Sequence, residues 1–177
     1  MEWNDIYDAQ RRLTGRRHLR GTPWGPGEYG LVVCVWVCDG NGRILLTQRA
    51  KEKSFPGTWE NSGGAAKAGE DSLTAIQREL FEETGIRAEK EEFRLLRSVQ
   101  EHDTFFDHYW ICKEVPLDRI VLLPGETVDA QWATFDQIHH LIHAGKICRI
   151  IARQFLQEEA ALRQISSACD GIISSPA

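Results

Sequence analysis

Residues 63–86, GGAAKAGEDSLTAIQRELFEETGI, constrain this chain more than any other stretch. Leu73, Ile76 and Leu80 recur at helical spacing and make one apolar stripe. A helix is therefore expected from about Asp71 to Thr84, with Gly85 placed to end it. Glu79, Glu82 and Glu83 stand at i,i+3 and i,i+4 spacing, so their carboxylates emerge together on its polar side. At about 6 Å and an effective dielectric near 20, each like-charge pair costs about 3 kcal/mol before screening. On an open face water and salt remove most of that cost, and three glutamates alone usually mark a solvated surface. In a partly enclosed cleft the repulsion persists and calls for a cation. Carboxylate oxygens with a backbone carbonyl suit Mg²⁺ or Mn²⁺. Arg78 is placed to clamp one carboxylate bidentately. Gly63 and Gly64 let the preceding loop approach closely and offer a carbonyl.

The remaining chain supplies a sheet for this helix to cover. LVVCVWVC (31–38) is apolar without alternation, as expected of a strand buried on both faces. DGNG turns it into RILLTQR (43–49), a partner strand. A short strand is expected around Trp59–Ser62, with others at 92–100, 105–115 and 129–135. DQIHHLIHAG and about 147–165 read as helices. The order predicts one layered α/β domain with a mixed sheet over residues 29–166. A basic hairpin and loop (1–28), turning at RRLTG, precede it, and a loosely ordered tail (167–177) follows.

The chain's 177 residues suffice for a single core, and its net charge of −5 gives no electrostatic case for binding a nucleic-acid polymer. No apolar run approaches a membrane span, and MEWNDIYDAQRR lacks the apolar core of a signal peptide, so a cytoplasmic protein without a membrane partner is expected. Cys34, Cys38, Cys112, Cys148 and Cys169 contain no CxxC pair and are expected as reduced thiols.

Gly64, five residues, Glu70, seven residues, then Arg78-Glu79-Leu80-Phe81-Glu82-Glu83-Thr84-Gly85-Ile86 fills every position of the Nudix box. Chance would produce it on the order of once in a billion starting positions. On these residues the chain resembles the Nudix hydrolases, and most of 29–145 follows that family's order of elements. The resemblance implies an α/β/α sandwich around a mixed β-sheet. It also implies cleavage of a small organic diphosphate, a nucleoside diphosphate linked to a second moiety, with Mg²⁺ or Mn²⁺. Glu82 and Glu83 would be metal ligands, aided by Glu79 and the Gly64 carbonyl. Arg78 would orient the carboxylates, with Glu70, Gly63 and Gly85 supporting the loop–helix junction. Glu79 is the first choice for general base, and Glu101, Asp103, Asp107 and Glu126 stay open as bases from outside the box. Arg49, Lys51 and Lys53 lie near the loop entering the site, where they would hold phosphates. A homodimer is left open.

LLTQRAKEKSFPGTWENSGG and DAQWATFDQI are also similar to type 1 isopentenyl-diphosphate isomerases, which share this fold. That likeness puts a catalytic cysteine at Gly64 and metal-ligand histidines at Ala66 and about Gly30, and all three residues are missing. The hydrolase reading therefore leads, with isomerase-like activity and a non-catalytic nucleotide-binding module as alternatives. Glu101 replaces the proline of ADP-ribose enzymes, and His102 the tyrosine of dinucleoside polyphosphate enzymes. Arg11, Arg12, Arg16, Arg17 and Arg20 read as a solvated basic hairpin, and His139, His140 and His143 as decoration of a helix end.

Overall fold

The computed structural model describes residues 1–173, with side chains described through Cys169. Strand β3 (Gly30–Cys38) lies at its centre. It runs parallel to β8 (Thr104–Cys112) on one edge, and antiparallel to β6 (Ser62–Ala65) and β4 (Arg43–Arg49) on the other. β4 in turn pairs with β5 (Trp59–Glu60) and β9 (Thr127–Thr134), and β7 (Arg94–Glu101) closes the far edge against β8. The sheet is thus mixed, as expected.

Helices cover both faces, which is why β3 carries apolar residues without alternation. Leu31, Val33, Val35 and Val37 point to the side of α1 (Ser72–Thr84), where Ile76 and Leu80 meet them. Trp36 and Cys38 point the other way, with Ile44 and Leu46 of β4, toward α2 (Phe135–His143) and α3 (Arg149–Ile173). The result is an α/β/α sandwich. α1 begins where its cap allows: the Asp71 carboxylate accepts the Thr74 amide at 2.7 Å. It ends at Gly85, which adopts φ 71° and donates its amide to the Phe81 carbonyl at 2.8 Å.

Four expectations change. The stretch Trp59–Ser62 is not one strand: at Asn61 the chain leaves β4 and joins β3, giving β5 and β6 separate partners. The N-terminal hairpin, β1 (Trp3–Tyr7) and β2 (Leu13–Leu19), turns over residues 8–12 instead of RRLTG. There the Asp8 carboxylate accepts the amides of Gln10 and Arg12, both at 2.9 Å. α3 continues to Ile173, so most of the segment 167–177 is helical; residues 174–177 lie outside the described residues. Finally, Cys112 and Cys169 form a disulfide with a Cα–Cα distance of 5.6 Å, while Cys34, Cys38 and Cys148 are free and buried. The expectation of five reduced thiols is corrected: α3 folds back along β8 and brings together two cysteines 57 positions apart. Among the described residues no helix is long and apolar enough to cross a membrane.

Candidate active site

At the β6–α1 junction the box residues converge on Arg78. Its Nε and one terminal nitrogen grip the Glu70 carboxylate at 2.7 and 2.9 Å. The other terminal nitrogen donates to Glu79 at 2.8 Å and Glu82 at 3.0 Å. The bidentate clamp expected of Arg78 is therefore made on Glu70, and the same guanidinium also reaches two of the clustered carboxylates. Glu70 also accepts the Lys67 amide at 2.8 Å, which ties the loop after β6 to the helix. Burial by itself would raise the Glu70 carboxyl, but these bonds outweigh it and hold the group below its ordinary range. Burial likewise drives Glu79 up, and there Arg78 only partly offsets it.

Glu83 lies deeper. Among the described residues its carboxylate accepts only the Gly63 amide, at 3.2 Å. Burial, then the negative charges of Glu60 and Glu79, push it up to about 8. Glu60, on β5, is also raised by burial, against the opposing pull of Arg49, which donates to it at 2.5 Å. Sequence reading missed Glu60: it stands outside the box, and only the switch of strand partner at Asn61 brings it near α1.

Gly63 is sterically required by neighbouring backbone, while Gly64 is crowded by the end of one side chain. A Cβ on Gly63 would lie 2.3 Å from the Val33 carbonyl oxygen, and one on Gly64 would lie 2.5 Å from a Glu79 carboxylate oxygen. Position 64, where the isomerase pattern has a cysteine, is thus backed by the Glu79 carboxylate.

The carboxylates line a small polar cleft of about 160 Å³ with Gly63, Gly64 and Arg78. Lys53 and Glu126 stand on its rim, paired at 2.7 Å. Lys67 adds a second cation, 3.5 Å from Glu82. The hairpin supplies Arg20 and Glu2, paired at 2.5 Å. Lys67, at an unspecified position inside the box, and Glu2 were not singled out, and Arg20 was read as part of a solvated hairpin.

Other candidates fall elsewhere. Asp107 is buried in a bidentate pair with Arg11, and Glu101 pairs with Arg153 at 2.5 Å. Asp103 lies in the β7–β8 turn, where its carbonyl accepts the Gly30 amide. Lys51 is exposed beside Glu52, and Arg49 is committed to Glu60 and Ser54. Of the four outside acids, the structure brings only Glu126 to the cleft. His139 pairs with Glu159, and His143 turns onto the His139 carbonyl. Arg12, Arg16 and Arg17 each face an acidic partner.

Among the described residues no group of three or more acidic, histidine or cysteine side chains is arranged to hold a metal ion. Arg78 and Lys67 occupy carboxylate oxygens there. The donor set nevertheless fits a hard divalent ion: clustered carboxylates, one of them buried with a single weak donor.

The protein-family model described as NUDIX domain matches residues 28–153. An uncharacterised Nudix hydrolase of Listeria monocytogenes is 34% identical over 147 residues, 82% of this chain and 86% of that protein. A Deinococcus radiodurans crystal structure superposes with a TM-score of 0.73 at 21% identity, covering 88% of this chain and 98% of its own. A Francisella tularensis bifunctional NMN adenylyltransferase/ADP ribose pyrophosphatase, solved with AMP and a manganese ion, gives a TM-score of 0.64 at 20% identity. That match covers 80% of this chain and 43% of the larger protein.

Proposed function

From the premise that the chain belongs to the Nudix family and is a hydrolase of pyrophosphate bonds, we propose a divalent-metal-dependent enzyme that cleaves a nucleoside diphosphate linked to a second moiety. The observation that carries this reading is the convergence of Glu79, Glu82 and Glu83 with Gly63 and Gly64 in one cleft. Glu82 and Glu83, with Glu79 and the Gly64 carbonyl, would hold Mg²⁺, with Mn²⁺ as the alternative. When bound, the ion neutralises diphosphate oxygens and acidifies a water.

The chain's own residues do the rest. Arg78 fixes the directions of Glu79 and Glu82 while Glu70 holds the guanidinium in place. Lys53, Lys67 and Arg20 offer positive charge at the rim, where a diphosphate would displace their present carboxylate partners. Glu79 remains our first choice to take the proton of the attacking water. Glu126, held by Lys53, is the second. Isomerase chemistry is disfavoured because position 64 offers no thiol and its side-chain space is taken by Glu79. We place the enzyme in the cytoplasm, acting on a small nucleotide derivative, and leave a homodimer to solution measurement.

The test is a phosphate-release screen over nucleoside diphosphates, triphosphates, sugar nucleotides and isoprenoid diphosphates. Turnover of a nucleotide with Mg²⁺ or Mn²⁺, abolished by EDTA and restored by added metal, is expected. No turnover of any compound would overturn the reading in favour of a binding module.

A further inference from the structure

On the other side of β6 from the carboxylates, a second cavity of about 190 Å³ opens at the same Gly63 and Gly64. That is smaller than the roughly 300–1,000 Å³ of pockets that take a whole drug-sized ligand, so it suits one moiety of a substrate. Its walls are mainly apolar, with Val32, Phe106 and Ile150 among them and Phe55 beside them. Polar groups interrupt this lining: Ser54, the Arg49–Glu60 ion pair and two side-chain amides. Asn61, at the β5–β6 bend, is 3% exposed, and Gln154, on the second turn of α3, is 6% exposed. Both amide atoms of Asn61 and the Oε1 of Gln154 have no hydrogen-bond partner among the described residues. The Cys34 thiol is beside Asn61, but sulfur is too weak a partner to satisfy an amide.

A buried amide left unpaired is costly, and buried polar atoms in native folds normally find partners. Both residues line one cavity beside the candidate site, and a ligand seated there can supply those partners. A side-chain amide offers a donor and an acceptor in one plane, which matches the paired donor and acceptor of a nucleobase edge. Phe55 and Phe106 add aromatic faces of the kind on which bases stack. An isoprenoid chain would leave every one of these polar atoms unpaired, and a site built to hydrogen-bond a group rejects analogues that lack it. We propose that this cavity seats the nucleobase of the substrate, with Asn61 and Gln154 reading its edge while the diphosphate crosses Gly63–Gly64 to the carboxylate cleft. This rests on the hydrolase reading above, and its test separates the two.

The experiment measures Kd by calorimetry, with Mg²⁺ present, for AMP, GMP, CMP and UMP against ribose 5-phosphate and isopentenyl monophosphate. The wild-type protein should bind at least one nucleotide about tenfold or more tightly than ribose 5-phosphate, a gap in keeping with one good amide–base pairing. Gln154→Leu should erase most of that gap while ribose 5-phosphate binding stays the same. Asn61→Leu should do likewise; because Asn61 is at a strand bend, Gln154→Leu decides the matter if the Asn61 variant fails to fold. No base preference in the wild type, or the same preference in Gln154→Leu, overturns the inference. If diphosphates are cleaved without base preference, the pocket assignment falls and the hydrolase stands. If base-dependent binding holds and nothing is cleaved, the hydrolase reading falls and the pocket stands.

Discussion

Asp107 and Glu83 are both buried carboxylates, 2% and 3% exposed, one near each end of α1. Their surroundings treat them in opposite ways. Asp107 accepts from Arg11 at 2.8 Å, from Ser98 at 2.7 Å and from Ser72, the first residue of α1, at 2.5 Å. Burial pushes it upward, yet those donors outweigh burial and hold it below its ordinary range. Glu83 has one amide at 3.2 Å and like charges for neighbours, so it rises to about 8. Asp107 is a finished joint that pins the N-terminal hairpin to the domain. Glu83 is an unfinished one, and a buried carboxylate short of positive charge is where a fold can take up a cation.

This contrast is easiest to break at Glu83. Glu83→Gln should lower turnover by orders of magnitude without lowering the melting temperature, because a neutral amide removes a buried group that lacks compensation. Near-full activity in that variant would end the metal-site assignment. Arg78→Lys comes next: lysine cannot span Glu70, Glu79 and Glu82 together, and residues that orient metal ligands typically cost about 10–100-fold when lost. Steady-state kinetics across metal concentrations would show whether the loss lies in metal affinity, in turnover or in neither.

At the other end of the helix the expected effect is on stability. Arg11→Ala strands Asp107, but Arg11 is itself one-third exposed. The ~3–5 kcal/mol typical of breaking a fully buried pair should therefore shrink to about 2 kcal/mol, with turnover per folded molecule unchanged. Denaturant unfolding reads the first quantity and active-site-normalised kinetics the second; a comparable loss of turnover would place the hairpin clamp in the catalytic machinery. The smallest effect is in pH. Asp107 sits below its unfolded value of about 3.9, so its contribution is whole above that pH and drains away as pH falls through the folded value. The stability gap between wild type and Arg11→Ala should therefore close in acid, and a gap that stays constant to pH ~2 would show that the clamp's value is packing alone.

The reaction class was legible through the family resemblance that the box carries, and the carboxylate cluster through local geometry. Residues three and four apart on one helix must share a face, so Glu79, Glu82 and Glu83 cluster wherever that helix forms. The caps at Asp71 and Gly85 and the doubly buried β3 are legible for the same reason: each answers to neighbours in the chain. Contacts between partners far apart in the chain are set by packing alone. The guanidinium of Arg11 crosses 96 positions to Asp107, and the Cys112–Cys169 bridge crosses 57. Glu60 approaches Glu83, and Glu126 is separated from Asp107 and Glu101, only once the strands are in register. Asn61 and Gln154 carry no motif at all. Residues 93 positions apart line one cavity because β3 and the first turns of α3 form its walls, and that is a property of packing, not of spacing.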